Sequence, residues 1–82
     1  MDEIIAEMEK GWNEKIVFRL NEYRGRQYFD LRIYYEDDEG EWKPTKKGIS
    51  VQVDRFNEFK ENLGKLEQAV AGKGDTDSAE TP

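Results

Sequence analysis

The residues best suited to chemistry are cations and rings in the middle of the chain. Tyr23, Arg24 and Arg26 sit in the run YRGR, followed by Arg32, Tyr34 and Tyr35, then by Lys43, Lys46 and Lys47 around the run KPTKKG. Rings on which bases stack, interleaved with cations that meet phosphates, are what binding of a single-stranded polynucleotide requires. The same composition also suits a solvated sheet face, where arginine and tyrosine pair across strands. Hydrolytic chemistry has no comparable set. The chain has neither histidine nor cysteine, so Ser50 has no imidazole to activate it and the usual zinc and copper ligands are missing. The acids of EDDEGE (residues 36–41) read as a turn, with no apolar pocket to raise a carboxyl pKa and without the oxygen spacing of a calcium loop. No enzyme activity, metal or organic cofactor is expected.

Charge is unevenly spread. The net charge is −6 over 82 residues. Residues 1–14 set Asp2, Glu3, Glu7, Glu9 and Glu14 against Lys10, and residues 54–82 are acidic as well. Between them, once the EDDEGE run is set aside, eight bases face only Glu22 and Asp30. A basic surface on an acidic protein is consistent with this pattern, since local potential governs local binding.

The elements that must position these residues are legible from periodicity. DEIIAEME at the start has Ile4, Ile5 and Met8 on one side of a short helix; residues 1–14 read as an N-terminal extension. KIVFRL (15–20) and RQYFDLRIYY (26–35) alternate as strands, joined by a hairpin turn containing Gly25. Residues 41–43 start a third strand that Pro44 limits. Lys46-Lys47-Gly48 reads as a tight connection, and ISVQV (49–53) as a fourth strand. Asp54 then caps a helix whose apolar stripe is Phe56, Phe59, Leu63, Leu66 and Val70. The expected fold is α+β: a four-stranded antiparallel meander followed by one long C-terminal helix lying across the sheet's apolar face. Tyr28, Arg32 and Tyr34, with Val17 and Arg19, fall on the opposite face, open to solvent, a ligand or a second subunit. Trp12 and Trp42 read as anchors of a core or an interface, with Trp42 also near enough to the lysines to stack on a base. The domain is assigned to residues 15–70, and residues 71–82 to a disordered tail.

The stretch NEYRGRQYFDLRIYYEDDEGEWKPTKKGIS closely resembles the domain of the eukaryotic transcriptional positive cofactor four and its bacterial and phage relatives. The likeness spans roughly residues 15–68. The resemblance implies a homodimer of curved four-stranded sheets, each followed by a helix. It also implies binding of single-stranded DNA, or of melted duplex, with little sequence preference. On it, Tyr23 and Tyr35 are the stacking rings; Arg24, Arg26, Arg32, Lys43, Lys46 and Lys47 meet phosphates; and Phe56, Phe59, Leu63 and Leu66 help build the dimer. Transcription coactivation or regulation, or replication and repair, is the implied setting, with proteins of those processes as further partners. Two alternatives stand beside it: a protein-interaction module using the same sheet surface, and an RNA-binding protein. No apolar run approaches the ~20 residues needed to cross a bilayer. No membrane partner is expected, and the expected compartment is the cytoplasm, with nucleoid association in a bacterium.

Overall fold

The computed structural model describes residues 2–73. Four strands form one antiparallel sheet in sequence order: β1 (Glu3–Gly11), β2 (Glu14–Tyr23), β3 (Arg26–Glu36) and β4 (Trp42–Gln52). A short 3₁₀ turn, Val53–Arg55, leads into the helix α1, Phe56–Lys73. The expected class therefore holds, but the strands are differently divided.

Residues 3–11 form a strand, where a short helix was expected. Ile4, Ile5 and Met8 have helical spacing, yet β1 pairs with β2 from Glu3↔Leu20 to Gly11↔Glu14, with a register shift between Ile4 and Ala6. That irregularity breaks the two-residue alternation by which a strand is read. The expected third and fourth strands are in turn one strand, β4. Pro44 and Gly48 looked like its ends; both lie inside it, because β4 is an edge and a register shift between its pairings with Arg32 and Tyr34 absorbs the extra residues. Lys46 and Lys47 accordingly sit within the strand and not at a hairpin connection. Asp54 lies inside the 3₁₀ turn, and no side chain caps it.

The two faces of the sheet also reverse expectation. The face bearing Tyr28, Asp30, Arg32 and Tyr34 contains the two most buried of the described residues, Val17 at 0% and Asp30 at 1% exposure. The apolar face is open. Phe29 is buried, with Phe56 and Phe59 edge-on to it at 5.4 and 5.0 Å between ring centroids. Beyond that contact, the helix buries none of its residues: Leu63, Leu66 and Val70 are exposed, as are Leu20 and Ile49 on the sheet. The helix is thus anchored at its first turns and does not lie across the sheet. It also continues through Lys73, past the expected limit at residue 70; residues 74–82 of the expected tail lie outside the described residues.

Candidate nucleic-acid interface

Strands β2 and β3 are joined by the two residues Arg24 and Gly25, both at positive φ (56° and 79°). This is the geometry of a tight hairpin turn, whose twist matches the flanking strands and which glycine favours. It fixes the register at Tyr23↔Arg26 and, farther along, Arg19↔Asp30 and Val17↔Arg32. At the hairpin tip, Tyr23 is 61% exposed, and the Arg24 guanidinium lies over its ring, 5.2 Å from the centroid. Arg26 reaches Gln52 on β4, Nη1 donating to Oε1 at 3.4 Å. The expected sequence YRGR thus presents a ring and two cations together on one exposed corner.

The lysines are carried by the edge strand. Thr45 Oγ1 donates to the Ile33 carbonyl at 2.8 Å and accepts from the Lys47 N–H at 3.1 Å, which pins the irregular segment of β4 against β3. A Cβ at Gly48 would overlap the Leu31 carbonyl oxygen and lie 2.9 Å from Arg32 Cα, so only glycine lets β4 approach β3 here. Lys46 and Lys47 are exposed and have no ion pair among the described residues. From Gln52, which holds Arg26, back to Lys47 is five residues of strand, about 17 Å at ~3.3 Å per residue.

The other expected cations are already engaged. Arg32 donates to Asp30 through Nε (3.1 Å) and Nη2 (2.7 Å), and its Nη1 donates to the Thr45 carbonyl at 3.3 Å. Arg19 holds the same carboxylate, Nε donating at 3.0 Å, and its Nη1 donates to the Tyr34 hydroxyl at 2.9 Å. Burial alone would raise the Asp30 pKa, but hydrogen bonds from Arg32 and Arg19 outweigh it and hold the carboxyl below the usual carboxylate range. The same hydrogen bond to Asp30 raises the Arg32 pKa. Lys43 pairs with Asp37 at 3.1 Å, which raises its pKa. Asp37 in turn accepts the N–H groups of Glu41 and Glu39 at 3.0 and 2.9 Å. The backbone bond from Glu41 is the largest cause of its lowered pKa, followed by that from Lys43. The acidic turn is thus tied to one of the lysines beside it. Tyr35 is half exposed on the open apolar face, across from Lys43.

The structure therefore gathers Tyr23, Arg24 and Arg26 at one corner, sets Lys46 and Lys47 along the adjoining edge, and places Arg32, Lys43 and Tyr35 in other surroundings. Sequence reading missed the Arg19–Asp30–Arg32 cluster. The signal was present: a two-residue turn at Arg24–Gly25 makes Arg19 the direct partner of Asp30.

Comparison with known proteins places the fold. The family model described as "Transcriptional Coactivator p15 (PC4)" matches residues 9–62. The RNA polymerase II transcriptional coactivator KELP of Arabidopsis thaliana is 37% identical over 51 residues, covering 62% of this chain and 30% of that protein. This chain spans less than half the length of the curated relatives it matches. Among solved structures, a PC4 homologue from Burkholderia pseudomallei superimposes with a TM-score of 0.74 at 28% identity, covering 82% of this chain and 98% of the other. The bacteriophage T5 homologue of the eukaryotic coactivator PC4, implicated in recombination-dependent DNA replication, gives 0.56 at 25% identity, covering 96% and 98%. The family model takes in β2, β3, β4 and the first turns of α1, and on that ground the chain belongs to the transcriptional coactivator p15 (PC4) family.

Proposed function

We propose that this protein binds single-stranded DNA without sequence preference, as a homodimer, and acts in transcription coactivation or in replication and repair. The observation that carries the reading is the hairpin tip, where an exposed Tyr23 ring already accepts the planar guanidinium of Arg24 on its face. A base offers a flat partner of the same kind, and exchange of Arg24 for a base frees that arginine for a phosphate. Arg26, Lys46 and Lys47 continue the cationic path. Lys43 can leave Asp37 for a phosphate at little cost, because an exposed ion pair contributes little. Arg32 spends its donors within the fold, so in this reading it shapes the ridge that carries the lysines.

The test is a titration of fluorescent oligothymidine, with matching duplex and RNA, over a salt series. Log affinity falls linearly with log salt, with the single DNA strand bound tightest, and the slope shrinks by about 0.7 for each phosphate contact removed. Lys46→Ala with Lys47→Ala therefore lowers both affinity and slope, and Tyr23→Ala costs about 1–3 kcal/mol by loss of stacking. Unchanged affinity and slope in the lysine pair would refute the path. Stronger retention of RNA would redirect the reading to that ligand.

A further inference from the structure

The end of the sheet away from the Arg24–Gly25 turn carries an open groove lined by both tryptophans of the chain, Trp12 and Trp42. Trp12 is 89% exposed. Its turn is nevertheless fixed: the Asn13 carbonyl accepts the Glu36 N–H at 3.1 Å, and Asn13 Nδ2 donates to the Glu36 carbonyl at 3.0 Å. So large an apolar ring, held out on an anchored turn, is costly to leave in water and is the kind of side chain that anchors interfaces. The groove also shows what its rings accept. Lys15 Nζ sits 4.4 Å from the centroid of the Trp42 ring, whereas no cation lies over Trp12 among the described residues. Of the surrounding carboxylates, Glu7 is paired with Lys15 at 3.0 Å and Glu14 with Lys10 at 3.4 Å, while Glu9 and Glu36 have no ion pair among the described residues. Local potential of this sign repels phosphate and draws cations.

We infer that this groove docks a lysine- or arginine-bearing segment of another protein, with one side-chain cation over Trp12 and its neighbours against Glu9 and Glu36. The nucleic-acid path from the Arg24–Gly25 corner along Lys46 and Lys47 would then lie apart from the protein-docking groove, approaching it only at Lys43 beside Trp42, so that both partners could be held at once.

Both tryptophans line the groove, so intrinsic fluorescence reports on it directly. The probe is an octapeptide of alternating arginine and glycine, titrated at low salt. Saturable change in emission is expected, and Trp12→Ala weakens the affinity about fivefold, within the range of a cation–π contact of about 1 kcal/mol. Glu9→Gln with Glu36→Gln weakens it comparably, whereas the charge-matched pair Glu61→Gln with Glu67→Gln on α1 leaves it unchanged. Oligothymidine affinity and the mass by light scattering stay the same in Trp12→Ala. Absence of a saturable change would overturn the inference, as would equal weakening by the helix pair, which would mark a bulk charge effect. Loss of oligothymidine affinity in Trp12→Ala would assign the groove to the nucleic-acid path. A fall in mass would assign it to self-assembly.

Discussion

At the scale of single residues, Asp30 decides how two arginines of the sheet are spent. Its carboxylate is sealed from water, yet it receives four donor contacts from Arg19 and Arg32 within 3.1 Å. Removing the carboxylate leaves two guanidinium groups crowded together on a half-buried face. Breaking such a pair costs about 3–5 kcal/mol where both partners are sealed; the arginines here keep a route to solvent, so Asp30→Asn should cost about 3 kcal/mol in chemical denaturation. The pH dependence follows from the direction of the shift. Because the folded carboxyl titrates below its unfolded value of ~3.9, this contribution is fully present above that value and disappears as pH falls through the lower, folded one. The wild-type protein should therefore lose stability steeply below about pH 4, and Asp30→Asn should flatten that limb. Equal slopes in the two proteins would mean that the cluster is not what acid disrupts.

At the scale of elements, β4 shows what sequence patterning can and cannot specify. The strands around Phe18 and Phe29–Ile33 were legible because alternation and a hairpin turn containing Gly25 agree, and the YRGR corner was legible for the same reason; the strands run closer together than expected and leave just Arg24 and Gly25 between them. The continuity of β4 was not, because Pro44 and Gly48 are ordinary terminators and only a neighbouring backbone reveals why they are tolerated. Nor was β1, whose alternation is broken by an irregularity at Ile5. The commitment of Arg32 and Lys43 to Asp30 and Asp37 required the register as well as the composition. Gly48 is the element's most exacting position: a methyl there meets the Leu31 carbonyl and the Arg32 backbone, neither of which is the free end of a flexible side chain. Gly48→Ala should destabilise by about 1–3 kcal/mol through overpacking. It should also displace Lys46 and Lys47, lowering oligothymidine affinity where a destabilised but correctly placed edge would not. Thermal melts and the salt-series titration of the same variant separate the two effects.

At the scale of the whole molecule, one chain leaves its apolar surface unfinished. Among the described residues, Val17 and Phe29 are the only buried apolar ones, while Ile4, Met8, Leu20, Ile49, Leu63, Leu66 and Val70 stand in solvent on a sheet and a helix that barely meet. Small chains bury too little surface to be stable alone unless something else closes the core, and with no cysteine in the sequence a disulfide is not that support. A second copy is the economical closure, since twofold pairing makes one patch serve both partners, and stable interfaces remove about 800 Å² from each. Leu66 distinguishes this from a lone chain because it is 57% exposed there. If the isolated chain is the functional unit, Leu66→Glu is a surface change and should move stability by about 0.5 kcal/mol at most. If helices close the dimer, it buries an unpaired carboxylate in the interface, so light scattering should show a fall from dimer to monomer mass. In the wild type the melting temperature should then rise with protein concentration, because association stabilises only the folded chains. A wild-type mass of one protomer at micromolar concentration, with a melting temperature independent of concentration, would exclude pairing and leave the open apolar face to a different partner.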